Sequence, residues 1–347
     1  MANPPSDYYV DPSIAGNSGA GTTGDPYGDL QHALDTITRN ATDGDRINVK
    51  AGTAEILTAA LSLTTYGTPA FTAPLIFQGY TTAQGDGGVG AIDCQTFTAL
   101  TNAGTGIHWF DMEVYDGPAA GDLITVAQYS CVARCYVHDT TGNGINVTAS
   151  NSMVIGNRLE DIGDATHSMI NNTGAYTKIS SNYLLHGGTR NCEHGIASSG
   201  LGVNISKNII SIDAGSNGIS VETYNNYVEA NTILSSAGTG TGILYSGSFN
   251  TIGLFLVNNY VEGFSGGKGI SCTLASNGGG VVGRNALYDN NTTQYTQDNE
   301  HILDLGDNEV LTATGIAKSG ADTYANRFIY YAPVDITNMQ DGGYPEA

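Results

Sequence analysis

The sequence predicts an all-β solenoid, a right-handed parallel β-helix of roughly ten coils stacked about 4.8 Å apart. Two repeats and a composition carry this. A ladder residue followed two positions later by an apolar one recurs at Asp111, Cys135, Asn157, Asn182, Asn208, Asn231, Asn259 and Asn285, at spacings of 22 to 28 residues. In step with it runs Gly-Ile, at Gly106-Ile107, Gly144-Ile145, Gly195-Ile196, Gly218-Ile219, Gly242-Ile243 and Gly269-Ile270, with Met169-Ile170 filling the gap. The chain of 347 residues holds 47 Gly and 20 Tyr but only 13% charged residues, the bias of many short strands and tight turns.

The solenoid geometry explains each repeated residue. Isoleucines in one register form an inward stack, and an inward amide at a corner can bond its counterparts on the coils above and below, as in stacked Asn ladders. Recurrent glycine fits corners that need positive φ. Residues 1–45 read as an N-terminal cap: in DPYGDLQHALDTI, Asp25 is the expected N-cap and Pro26 the first helical residue, with Leu30, Ala33, Leu34 and Ile37 on one face. GDRINVKAG opens the first strand, coils occupy 46–294, and an aromatic, irregular cap is expected over 295–347, where both ladders stop.

The formal net charge of −21 repels nucleic acid and anionic membranes, so direct nucleic-acid binding is not expected. Cys94, Cys131, Cys135, Cys192 and Cys272 are odd in number and lack metal-ligand pairing, which predicts buried free thiols. MANPPSDYYVDPS shows neither a basic n-region nor an apolar h-region, and no stretch approaches a membrane span. The expected location is a virion surface or an extracellular setting.

The stretch NYLLHGGTRNCEHGI, residues 182–196, concentrates the chemistry in a chain otherwise short of charge. Aligned on the ladder, Asp116, His138, Asp139, Glu160, Asp161, His186 and Asp213 fall near one edge of successive coils, joined by Asp164, His167, Arg190, Glu193 and His194. Candidate catalytic residues are therefore Asp139, Asp161, His186, Arg190, Glu193 and His194. Carboxylates on neighbouring coils suit glycoside cleavage, in which one protonates the leaving oxygen and another activates water or attacks. They equally suit a lyase, with Asp161 and Asp164 as candidate ligands of a Ca²⁺ that neutralises a uronate. Solvated turn residues remain the competing reading. No other cofactor is expected.

YYVDPSIAGNSGAGTTGDPYGDLQHALDTI followed by GDRINVKAGT resembles the N-terminal cap and first coil of the pectate-lyase-like β-helix superfamily, which includes many bacteriophage and environmental bacterial proteins. The resemblance implies the fold over nearly the whole chain. Its hydrolase branch carries NTD, GHG and RIK, against which this chain offers only EHGI at Glu193–Ile196. The lyase motif WIDH has only HWFDMEV at His108–Val114 as a counterpart, so the family's catalytic residues transfer to no position. The missing motifs and missing export signal lead to the expectation of a non-enzymatic structural or adhesion protein. Its setting would be a virion surface, as a decoration protein or tailspike-like fibre, with virion proteins or cell-surface polysaccharide as partners and a homotrimer as an allowed assembly. The alternative is a polysaccharide lyase or glycoside hydrolase acting in a groove along the solenoid.

Overall fold

A computed structural model of the chain describes residues 4–311, apart from residue 17 and residues 102–103, 187–189, 213–214, 236–237, 247–252, 273–279, 289, 291–294, 298–301 and 305–308. The fold is the expected right-handed parallel β-helix. Among the described residues, three long sheets of twelve, eleven and eight strands run along the rod, and each coil contributes one strand to each sheet in turn. Eight coils carry strands in all three sheets, and earlier strands extend the other two toward the N-terminal end.

The isoleucine column exists. Ile145, Ile170, Ile196, Ile219, Ile243 and Ile270 pair successively in the eight-stranded sheet, and all six are fully buried. Its first member is Ile124, which pairs with Ile145. Ile107 instead pairs with Leu75 in the twelve-stranded sheet, which corrects its place in the ladder. The Gly-Ile dipeptide alone could not distinguish the two, because both sheets bury isoleucine.

The amide ladder is also real, from Asn157 through Asn182, Asn208, Asn231 and Asn259 to Asn285. In each step Nδ2 donates to the next Oδ1 at 2.9–3.0 Å, and that same Oδ1 accepts the backbone N–H of the preceding ladder residue at 3.0 Å. Buried backbone groups at the corner are thereby paired. The residue before each ladder position turns the chain with positive φ: Arg134, Gly156, Ser181, Lys207, Ala230, Asn258 and Arg284. Asp111 belongs to this turn series, at φ 55°, while the buried Met112 occupies the ladder position.

Gly106 takes the expected positive φ, at 76°, but the later Gly-Ile glycines have a different cause. Gly144, Gly195, Gly218 and Gly242 are not among the positive-φ residues. Instead, a Cβ on Gly195 would lie 2.6 Å from Ile210 Cγ2 and 2.8 Å from the Gly218 carbonyl. The sheets approach so closely there that only hydrogen fits.

The helix spans Leu30–Thr36 and is capped by Asp29, whose Oδ1 accepts the His32 N–H at 2.6 Å. This corrects the expected Asp25 and Pro26 start. Tyr27 is drawn into an extended bridge with Val10, so helical geometry cannot begin until the chain has left that contact. Leu30, Ala33 and Leu34 are buried over the open end, as expected. Ser6–Val10 forms the first strand of the twelve-stranded sheet, pairing with Asp45–Lys50, so the N-terminal segment extends the sheet as well as capping it. All five cysteines are buried and none is in a disulfide. No helix among the described residues is long and apolar enough to cross a membrane. Most of the expected C-terminal cap lies outside the described residues.

Candidate functional site

The candidate residues lie where the eleven-stranded sheet passes into the eight-stranded one, in the strand ends and the connections between them. Register pairs His138 with Glu160 and Glu160 with Leu185, so the residues that follow, Asp139, Asp161 and His186, form one column on three adjacent coils. Asp139 and Asp161 have φ of 56° and 53°, a left-handed bend that aspartate tolerates because its short side chain can bond locally. His186 Nε2 lies 3.1 Å from Asn191 Oδ1, and the nearby Arg190 is half-buried. Asp213 falls outside the described residues.

Further along these connections stand two acid–imidazole pairs on successive coils. His167 Nδ1 is 2.8 Å from Asp164 Oδ1, which also accepts the N–H and hydroxyl of Thr166. Burial works against the Asp164 carboxylate, but these bonds prevail and lower its pKa to about 2. One coil on, Glu193 donates its backbone N–H to the His167 carbonyl, and its Oε1 lies 3.7 Å from His194 Nε2. Burial outweighs the opposing influence of Glu193 and Glu222 and lowers the His194 pKa, which favours the neutral imidazole. Half of the Glu193 side chain is exposed and it can meet a solute.

The outer face of the eight-stranded sheet continues this edge as a polar floor. Asp122 accepts from Asn143 and Asn146 at 2.8 and 2.6 Å, and Asn171 donates to Asn146 at 3.0 Å. Amides and carboxylates in coil register offer alternating donors and acceptors of the kind sugar hydroxyls require.

A second polar cluster was only partly visible in the sequence. On the outer face of the eleven-stranded sheet, His138 Nε2 lies 3.1 Å from Glu113 and Nδ1 lies 2.8 Å from Asp139. Tyr115 and Tyr136 stack against the imidazole at 5.0 and 4.1 Å. Burial pushes the His138 pKa down, but the two hydrogen bonds reverse this and raise it overall. Tyr136 donates to Glu160 at 2.9 Å, and Arg158 bridges to the same oxygen at 2.6 Å. Alternation along MEVY and YVHDT, read from Met112 in place of Asp111, would have placed Glu113, Tyr115 and Tyr136 on this face. With both imidazole nitrogens engaged, His138 is a held group without a free lone pair.

Another pairing could have been read from the residue preceding Gly-Ile. His194 and Asn217 each hold that position, and they pair in the sheet. Among the described residues no three His, Cys, Asp or Glu side chains converge into a metal-holding group.

No protein-family model matches the chain, and no curated protein matches it by sequence. Solved structures do. A pectate lyase, Pel9A, superposes with a TM-score of 0.59 at 13% identity, over 93% of this chain and 87% of that one. A mannuronic acid-specific family 6 polysaccharide lyase from human gut microbiota gives 0.48 at 11% identity, over 82% of this chain and 75% of that one. The catalytic unit of a GH87 α-1,3-glucanase from Streptomyces thermodiastaticus gives 0.45 at 14% identity, over 84% and 61%. The expectation of a non-enzymatic bacteriophage decoration or fibre protein is corrected by the likeness to the pectate lyase: absent sequence motifs weigh against catalysis in the sequence, yet at 13% identity short motifs need not persist on a shared scaffold. What the chain shares with the pectate lyase is its fold, the parallel β-helix, over nearly its whole length.

Proposed function

We propose that the protein is a polysaccharide-cleaving enzyme, a lyase or a glycoside hydrolase, working at the edge where the connections meet the outer face of the eight-stranded sheet. The observation that carries this reading is the pair of acid–imidazole contacts on successive coils, Asp164–His167 and Glu193–His194, beside the amide floor of Asn143, Asn146 and Asn171. Coils rise by about 4.8 Å, so carboxylates on adjacent coils can be brought within the ~5–9.5 Å that glycoside-cleaving pairs use. Glu193 is the exposed carboxylate suited to moving a proton, and Asp164, held ionised, supplies fixed negative charge. Asp139, Asp161, His186 and Arg190 border the same edge and contact neighbouring sugars in this reading. An extracellular or cell-surface polysaccharide is the proposed substrate.

The test is a panel of neutral and acidic polysaccharides assayed for new reducing ends and for unsaturated, ultraviolet-absorbing ends. Turnover on at least one is expected, falling at least about 100-fold in Glu193→Gln, the scale of a lost acid–base group. No turnover on any member, or turnover untouched by Glu193→Gln and Asp164→Asn, would overturn the assignment.

A further inference from the structure

Asn217 stands one coil beyond His194 and holds two hydrogen bonds of fixed polarity. The backbone N–H of Thr241 points at Asn217 Oδ1 at 2.7 Å. Only the carbonyl end of an amide can accept that hydrogen, so the orientation of the Asn217 side chain is settled by a main-chain donor. Nδ2 is therefore the atom that faces His194, 3.2 Å from its Nδ1. An NH₂ group has no lone pair to offer. Nδ1 must be the accepting nitrogen, and the single proton of a neutral imidazole must sit on Nε2, the atom nearer Glu193.

We infer that Asn217 is a positioning residue that locks His194 in the Nε2–H tautomer, making His194 a hydrogen-bond donor to substrate and excluding it as the general base. The inference rests on the proposed polysaccharide-cleaving site and assigns roles within it. The lone pair of His194 is consumed at Nδ1 by Asn217, so a proton taken from substrate or water has to go to a carboxylate, with Glu193 the adjacent one. Nε2–H in turn can stabilise negative charge that develops on a substrate oxygen, without itself losing its proton. A neutral imidazole acts this way where a charged one would give its proton up.

The arrangement has a sequence cause. His194 and Asn217 both precede the Gly-Ile dipeptide, and the glycine column fixes the path of these strands by its close approach to the eleven-stranded sheet. The same register that builds the core thus aligns the imidazole with the amide.

Long-range ¹H–¹⁵N correlation spectra of the histidine-labelled, full-length protein, recorded without substrate at a pH where His194 is neutral, test the assignment directly. Wild-type His194 is expected to show the pure Nε2–H pattern. Asn217→Asp keeps an oxygen for the Thr241 N–H but presents a second acceptor to the ring, so His194 is expected to switch to Nδ1–H. Asn217→Leu, which offers neither group, is expected to give a mixture of tautomers. Circular dichroism melts of both variants confirm that the fold is retained. An Nδ1–H pattern in the wild type, or an unchanged pattern in a folded Asn217→Asp, would overturn the inference. Because the tautomer is read without turnover, a failure of every polysaccharide assay would refute the proposed activity while leaving this result to stand or fall by itself.

Discussion

Replacing Asn208 by leucine removes four hydrogen bonds from a fully buried position in the middle of the amide ladder. Asn208 Nδ2 donates to the Ile179 carbonyl and to Asn231 Oδ1, and its Oδ1 accepts the backbone N–H and the Nδ2 of Asn182, all at 3.0 Å. Leucine fills nearly the same space but leaves three groups with no replacement: the Asn182 N–H, one Asn182 amide hydrogen and the Ile179 carbonyl. At about 1–3 kcal/mol for each of the three stranded buried groups, less the ~1.5–3 kcal/mol recovered by burying an apolar side chain, the net loss is about 1.5–6 kcal/mol. Urea unfolding followed by circular dichroism measures it, with Lys178→Ala, an exposed position on a neighbouring strand, as a control expected to stay within about 0.5 kcal/mol. Solenoid stability is a sum of nearest-neighbour terms, so hydrogen exchange is expected to quicken first at the Asn182 N–H, which loses its acceptor. A variant within 1 kcal/mol of the wild type, by the ~1–3 kcal/mol scale for each stranded group, would refute the claim that the amides hold the coils together.

Two further outcomes follow from the caps and the core. Glu55 is buried beneath the helix; burial and then the charge of Asp29 push its pKa up to about 7, against the pull of the Leu30 N–H. A raised carboxyl stabilises the fold when protonated, so this contribution is fully present below its unfolded pKa near 4.5 and is lost as pH rises through about 7. Glu55→Gln is expected to flatten this decline in melting temperature, leaving the variant the more stable of the two at pH above about 8; parallel melting curves across that range would contradict the burial argument. Gly242→Ala drives a methyl group into Val261 Cγ1 and to 2.6 Å from the Gly269 carbonyl, so it is expected to destabilise by about 1–3 kcal/mol in the same unfolding assay, whereas neutrality would show that the sheets can part there.

What the sequence disclosed depended on how often the same physical demand recurred. Each coil must bury one isoleucine and satisfy one corner, so those two demands repeat and are legible as ladders, from Asn157 to Asn285 and from Ile145 to Ile270. Errors arose where a demand was met once or by another residue. Met112 satisfies the first corner by packing, and Asp111, one position earlier, was mistaken for it; a slip of one residue in a strand exchanges the inner and outer faces. The outward Glu113 and Tyr115 therefore stayed hidden, although the residues themselves were in plain view.

The chemistry of the site was harder to read for a related reason. Asp164 and His167 meet within one turn, three residues apart, and that contact is local. His194 and Asn217 lie 23 residues apart and meet only because the coils register them, while the contact between His186 and Asn191 is one that no repeat imposes. A scaffold whose core is periodic places no such constraint on its turns, which vary in length from coil to coil. The absence of family motifs therefore speaks to the turns and not to catalysis. The polarity of a single main-chain donor, Thr241 N–H, says more about the role of His194 than any motif, because it fixes which nitrogen can act.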